Sequence, residues 1–174
     1  DLGTAAIFIA IYTLIQYIYD EDRVSILVNV GLMVIGSVAG YFLFSHVRNR
    51  VDIWLNPWTA DKVVNSARQI VQSLFGIGEG GFIGQGIGLG YPKQIAFAYS
   101  DVIFSAICEE MGVLTGIGII MLYMLLVYRA IKIALNQEYL FYRILALSVA
   151  ILFTVQAFLN IGGVIKLIPM TGLT

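Results

Sequence analysis

The chain has 174 residues, 59% of them hydrophobic and 12% charged, with a mean hydropathy of +0.88. A soluble domain carries about 25% charged residues, so the composition excludes an ordinary soluble protein and indicates a membrane protein. Ten basic against eleven acidic residues leave a net charge of -1, which gives nucleic acid no electrostatic footprint, and the single cysteine, Cys108, excludes an internal disulfide or a cysteine metal cluster.

The chain opens at Asp1 with no methionine, charged n-region or cleavage site, and is expected to be a piece of a longer polytopic protein. About 17 to 20 uncharged residues cover the roughly 30 Å of a bilayer's hydrocarbon. The expected architecture is therefore all-α, with four transmembrane helices at about 2–19, 24–44, 102–128 and 144–165. The third is free of charge from Met111 to Tyr128. The first two are joined by so short a turn that they should form a helical hairpin.

Between the pairs lies a polar segment, 45–101. In it Val63, Val64, Ala67, Ile70, Val71, Leu74 and Phe75 recur at helical spacing, opposite Asn65, Ser66, Arg68, Gln69, Gln72 and Ser73. The pattern predicts an amphipathic helix, either lying at the membrane interface, with Trp54 and Trp58 at headgroup depth, or packed on its own chain. Next comes GIGEGGFIGQGIGLG, 76–90, whose Gly76, Gly78 and Gly81 have the GxGxxG spacing. A dinucleotide turn needs a strand before it and a helix after it. Here an amphipathic helix precedes and more glycine follows, so the glycines are read as an irregular loop pressed against the membrane surface, able to line a groove.

Orientation follows from positive charge. The short turns carry Arg23, Arg129, Lys132 and Arg143 at higher density than the long segment carries Arg48, Arg50, Lys62, Arg68 and Lys93. Density puts the turns in the cytoplasm and 45–101 outside it.

Single residues keep two readings each. Asp101, where a polar loop enters an apolar helix, reads as an N-cap. Glu109 and Glu110 suggest a carboxylate pair with Asp101, but eight helical residues separate Asp101 from Glu109 by about 12 Å, beyond the roughly 5 to 9.5 Å of paired glycosidase carboxyls. Ion pairing or a direct role in a polar cavity both remain for them. Arg48 and Arg50 either snorkel at a helix end or face a diphosphate. Gln156 and Asn160, four apart on one helix face, read as amides that join helices. His46 is assigned nothing.

Five landmarks in order resemble the shape, elongation, division and sporulation (SEDS) family: DLGTA (1–5), RNRVDIWLNPW (48–58), QSLFGIGEGGFIGQGIGLG (72–90), SDVIFSAICEEMG (100–112) and QAFLNIGGVIKLIPMTGLT (156–174). The resemblance covers nearly the whole chain. It implies a multi-pass bacterial plasma-membrane protein that polymerises peptidoglycan glycan strands from lipid II, as an inverting glycosyltransferase with a class B penicillin-binding protein as partner. The chain would then be the middle to late part, roughly helices six to nine of ten, inactive by itself, and 45–101 the large extracytoplasmic loop. Its partners would be lipid II, the nascent glycan strand and membrane lipids, and no nucleic acid.

The resemblance also assigns residues. Asp101 falls on the family's functional aspartate, which implies a general base that takes the proton of an attacking sugar hydroxyl. Substrate-binding candidates are Arg48, Arg50, Gln72, Ser73, Gly80, Gly81 and Lys93, and possible supporting residues are Glu109, Glu110, Gln156 and Asn160. The family often has Leu-Pro-Glu ahead of this aspartate, whereas here the approach is Phe97, Ala98, Tyr99, Ser100. A divalent cation at the lipid diphosphate is left open. Two other functions compete: a lipid or solute transporter, since polar groups in a helical bundle also mark transport paths, and a non-catalytic scaffold for a penicillin-binding protein. A transporter calls for a broken helix with charge at the membrane midplane.

Overall fold

The computed structural model describes residues 2–19, 23–64, 67–90 and 101–170. Among them the chain is all-helical, in seven helices: α1 (Leu2–Tyr19), α2 (Arg23–Leu43), α3 (Ser45–Leu55), α4 (Ala60–Val64), α5 (Arg68–Gly80), α6 (Ile103–Leu135) and α7 (Leu140–Val164). Three of them, α2, α6 and α7, are long and apolar enough to cross a membrane, and α1 contributes a shorter apolar stretch, Ile7–Tyr19. The residues divide between two compact units, one formed by 1–48 and 123–156, the other by 49–122 and 157–174.

In the first unit α1 and α2 pack together as the expected hairpin. An amide bridge, Asn29 Nδ2 to Gln16 Oε1 at 2.7 Å, joins them, and Thr13 returns its hydroxyl to the Ile9 carbonyl. Outward residues such as Phe8, Leu27 and Leu32 are exposed, as a lipid-facing surface would require. α6 and α7 meet in a turn shorter than the expected 129–143. No Pro or Gly interrupts the last turns of α6, so it runs on through Arg129 and Lys132. The Arg143 guanidinium then donates to the Gln137 carbonyl at 2.8 Å, tying the first turn of α7 to the connecting turn.

The second unit holds the polar segment from residue 49 onward. α3 was not expected. It stops at Leu55, ahead of Asn56 and Pro57, where a residue before proline resists the helical conformation. Lys62 pairs with Asp52, tying α4 to α3. The amphipathic helix is split, with α4 ending at Val64 and α5 starting at Arg68. Its buried Ala67, Ile70 and Val71 pack with Ile53, Val63 and Met170, so this face is covered by its own chain. Phe75, expected on that face, instead points out and meets Trp58 edge-on at 6.2 Å. A second cluster joins Val102, Phe104, Cys108 and Val164 to Ile77, Ile120, Ile161 and Met170.

The glycine stretch is not one loop. Gly76, Gly78 and Gly80 lie on α5, and the irregular part begins at Gly81. No strand precedes it, so the GxGxxG spacing has lost the context a dinucleotide needs. What the glycines do is seen at α6, whose backbone is broken at Gly112 (φ 84, ψ 163). The loop is stitched to this break by four backbone bonds. Gln85 and Gly86 donate to the carbonyls of Glu109 (3.0 Å) and Glu110 (2.9 Å), while Val113 and Leu114 donate to those of Gly81 (2.9 Å) and Phe82 (3.3 Å). Polar backbone groups freed by the break are thereby satisfied within the protein, the condition for irregular backbone near a membrane. The approach is so close that a Cβ on Gly84 would lie 2.3 Å from the Glu110 carbonyl oxygen.

Candidate active site

Asp101 stands just ahead of α6. The first bonds of that helix run from the amides of Ser105 (3.0 Å) and Ala106 (3.3 Å) to the Val102 carbonyl. Val102 thus occupies the capping position, and the expected capping by Asp101 does not occur among the described residues. Its Oδ2 instead accepts a hydrogen bond from Gln69 Nε2 at 3.3 Å. Oδ1 is closed to solvent and has no hydrogen-bond partner among the described residues. Leaving a buried carboxylate oxygen open costs stability, and such atoms call for a functional explanation.

Gln69 also lines a cavity of about 240 Å³, together with Asn49, Arg50, Ile53, Trp54, Ile70 and Met170. One face of α3 supplies Asn49, Arg50, Ile53 and Trp54, α5 supplies Gln69 and Ile70, and Met170 comes from the segment after α7. The Trp54 indole is half-buried and fixed by its Nε1 donating to the Lys166 carbonyl at 3.1 Å. The arrangement presents one guanidinium and two amides beside apolar walls, with a carboxylate one hydrogen bond away. It can receive an anionic, polar-headed ligand and, at Asp101, a proton.

The other expected residues fall in different places. Arg48 donates to the Phe42 carbonyl at 3.1 Å and stacks over Tyr41, which engages its guanidinium within the first unit. Ser73 is fully buried: its hydroxyl donates to the Gln69 carbonyl at 2.7 Å, and its own carbonyl accepts from Ser105 Oγ at 2.6 Å. It therefore holds α5 to α6, with its hydroxyl closed to solvent. Gly80 is a packing contact, since a Cβ there would lie 2.0 Å from the Cys108 carbonyl oxygen, and Gly81 serves the stitch. Gln72 is half-buried. Glu109 is buried, only 2% exposed, with Gly90 lying over its carboxylate, while Glu110 is half-buried. On α7, Gln156 is exposed and Asn160 half-buried. Lys93 lies outside the described residues. Among the described residues no three of His, Cys, Asp and Glu converge as a metal site requires.

Sequence reasoning missed Gln69 and Trp54 as site residues. Gln69 had been placed on the polar arc of the amphipathic helix, but its partner is 32 residues away in the chain, and no local pattern reports a contact of that kind.

Comparison with known proteins gives a consistent result. Residues 1–174 match the family of FtsW, RodA and SpoVE, described as cell cycle proteins. The chain is 34% identical over 174 residues to the peptidoglycan glycosyltransferase RodA of Mycobacterium tuberculosis, covering 100% of this chain and 37% of that protein. It is 32% identical over 177 residues to the stage V sporulation protein E of Bacillus subtilis, covering 100% of this chain and 48% of the relative. It is also 38% identical over 148 residues to a probable peptidoglycan glycosyltransferase FtsW of Geobacter metallireducens, covering 82% of this chain and 39% of the relative. The chain thus spans less than half the length of these curated relatives.

Proposed function

The chain belongs to the FtsW, RodA and SpoVE family of cell cycle proteins, and from that premise we propose that the whole protein containing it is a peptidoglycan glycosyltransferase that polymerises lipid II. It is a multi-pass protein of the bacterial membrane. In the proposed reaction a sugar hydroxyl of the acceptor attacks the anomeric carbon of the donor on the side opposite the lipid diphosphate. A glycosidic bond forms, the bond from the anomeric carbon to the diphosphate oxygen breaks with inversion, and the diphosphate leaves on its lipid carrier. The hydroxyl proton goes to Asp101. Arg50, on the cavity wall, is suited to meet diphosphate charge.

The observation that carries this reading is the buried Oδ1 of Asp101, without a hydrogen-bond partner among the described residues, on a carboxylate whose other oxygen is bonded to Gln69 of the cavity wall that also holds Arg50. A transport path is supported less well, because the break in α6 lies near one end of that helix. The stretch beyond it, 113–135, is about 34 Å long and crosses a membrane by itself. From Val113 to Tyr128 that stretch has no charged residue.

Purified full-length protein reconstituted with fluorescent lipid II is expected to yield glycan polymer. Movement of lipid II across the vesicle membrane without polymer would favour the transporter instead. A scaffold would give neither product until a penicillin-binding protein with its own polymerase was added.

The reading includes four membrane spans, with Leu2–Tyr19 as the first, and an extracytoplasmic 45–101 that belongs with a class B penicillin-binding protein outside the cytoplasm. Gln85 and Lys132, both exposed, provide a test in a Cys108→Ala background. Gln85→Cys is expected to react with a membrane-impermeant maleimide in intact cells, and Lys132→Cys only after permeabilisation. The reverse pattern overturns the topology.

A further inference from the structure

Resting on the proposed role of Asp101, we infer that Gln69 is the positioning residue of the proton acceptor: its amide pins Oδ2 and leaves Oδ1 as the oxygen that receives the hydroxyl proton. A carboxylate on a free rotor presents either oxygen in many directions, whereas a base must lie within about 3 Å of its proton along a defined line. Gln69 removes that freedom. Only the amide nitrogen can donate to a carboxylate, so the chemistry fixes the side chain's orientation. The backbone behind it is fixed as well. Gln69 sits in the first turn of α5, where the Ser73 hydroxyl bonds its carbonyl at 2.7 Å, and the Ser73 carbonyl holds Ser105 on α6 at 2.6 Å.

Two independent elements thus reach Asp101 by different routes, α5 through the Gln69 amide and α6 through the chain itself. Ser73 locks the two together a turn further along. Gln69 lies at the cavity edge, with Arg50 and Asn49 on the same wall. It therefore relates the base to whatever fills the cavity, and a shift of α5 would move both at once. Ser73 and Ser105 carry no proton in this scheme; they hold the residue that holds the base.

The test uses full-length protein in lipid vesicles with fluorescent lipid II, under single-turnover conditions for the slow variants. Gln69→Leu keeps the size and removes the donor. Its kcat is expected to fall about 10 to 100-fold, the cost of losing a hydrogen bond to a charged group, with KM for lipid II unchanged within about twofold. Gln69→Glu, which turns the donor into an acceptor, is expected to lose at least as much while keeping its detergent elution profile. It decides the matter if the leucine variant does not fold. In an Asp101→Asn background neither change is expected to reduce the rate further, because positioning has no meaning without the base. An undiminished kcat in both variants, a rise in KM at constant kcat, or an equal further loss in the Asp101→Asn background each overturns the inference. Full activity of Asp101→Asn alone is a different result: it removes the general base itself, and with it the premise.

Discussion

Asp101→Asn is expected to reduce glycan polymerisation by about 100 to 10,000-fold, the loss typical of a missing general base. The substitution keeps size and shape, and its carbonyl oxygen can still accept from the Gln69 amide, so the change isolates proton acceptance. The α6 N-terminus does not depend on it, because the first helical bonds go to the Val102 carbonyl. Folding, membrane insertion and lipid II binding are therefore expected to persist. Had Asp101 been an N-cap, asparagine would have replaced it at little cost, and activity would be near normal. The measurement is polymer length and rate from fluorescent lipid II, with the variant's monodispersity and lipid II affinity alongside. A correctly folded Asp101→Asn protein that polymerises at the full rate would remove Asp101 from the chemistry.

The second large effect belongs to the stitch. Gly84→Val and Gly112→Val are each expected to destabilise the folded protein by more than about 3 kcal/mol, because strain and overlap add. Gly84 has φ 88 and Gly112 φ 84, where L side chains rarely go, and a Cβ at either would fall 2.3 Å from a carbonyl oxygen, of Glu110 and Phe82 respectively. Backbone oxygens cannot swing aside as the tip of a side chain can. Gly78→Ala is the control: it lies on α5 with nothing within 4 Å of the added carbon, and alanine favours a helix by up to about 1 kcal/mol over glycine. Heating followed by size-exclusion chromatography reads all three. Equal melting of Gly84→Val and the parent would show that the loop does not depend on this contact.

These two predictions also mark where the sequence was informative. The hairpin, the apolar helices and the buried positions of α5 follow from hydrophobic spacing, because burial and side-chain period are the same fact seen twice. The residues around Asp101 alone suggest an N-cap, and its reading as a base comes from the family resemblance, because the Gln69 contact that holds it is not local. The break at Gly112 was not visible: hydropathy counts side chains, and the run is apolar on both sides of a glycine whose backbone alone departs from the helix. The glycines beyond Gly80 read correctly as irregular, yet their purpose lay in α6, too far along the chain for any local pattern. α3 escaped for the opposite reason. Its sequence, SHVRNRVDIWL, is polar enough to pass for a loop, and the tie from Trp54 near its end to the Lys166 carbonyl spans 112 residues of chain.

The stitch also sets an order in time. The carbonyls of Gly81 and Phe82 and the amides of Gln85 and Gly86 have their partners on α6, which the ribosome makes later. While α5 and the loop are already outside the exit tunnel, those groups can be satisfied only by water. The loop must therefore stay hydrated until α6 has been delivered, and closes onto it afterwards. Maturation of this half of the chain is thus expected to run from its end back to its beginning. A released chain truncated before Gly112, which lacks the second half of the stitch, would expose a protease-sensitive loop that the finished protein protects.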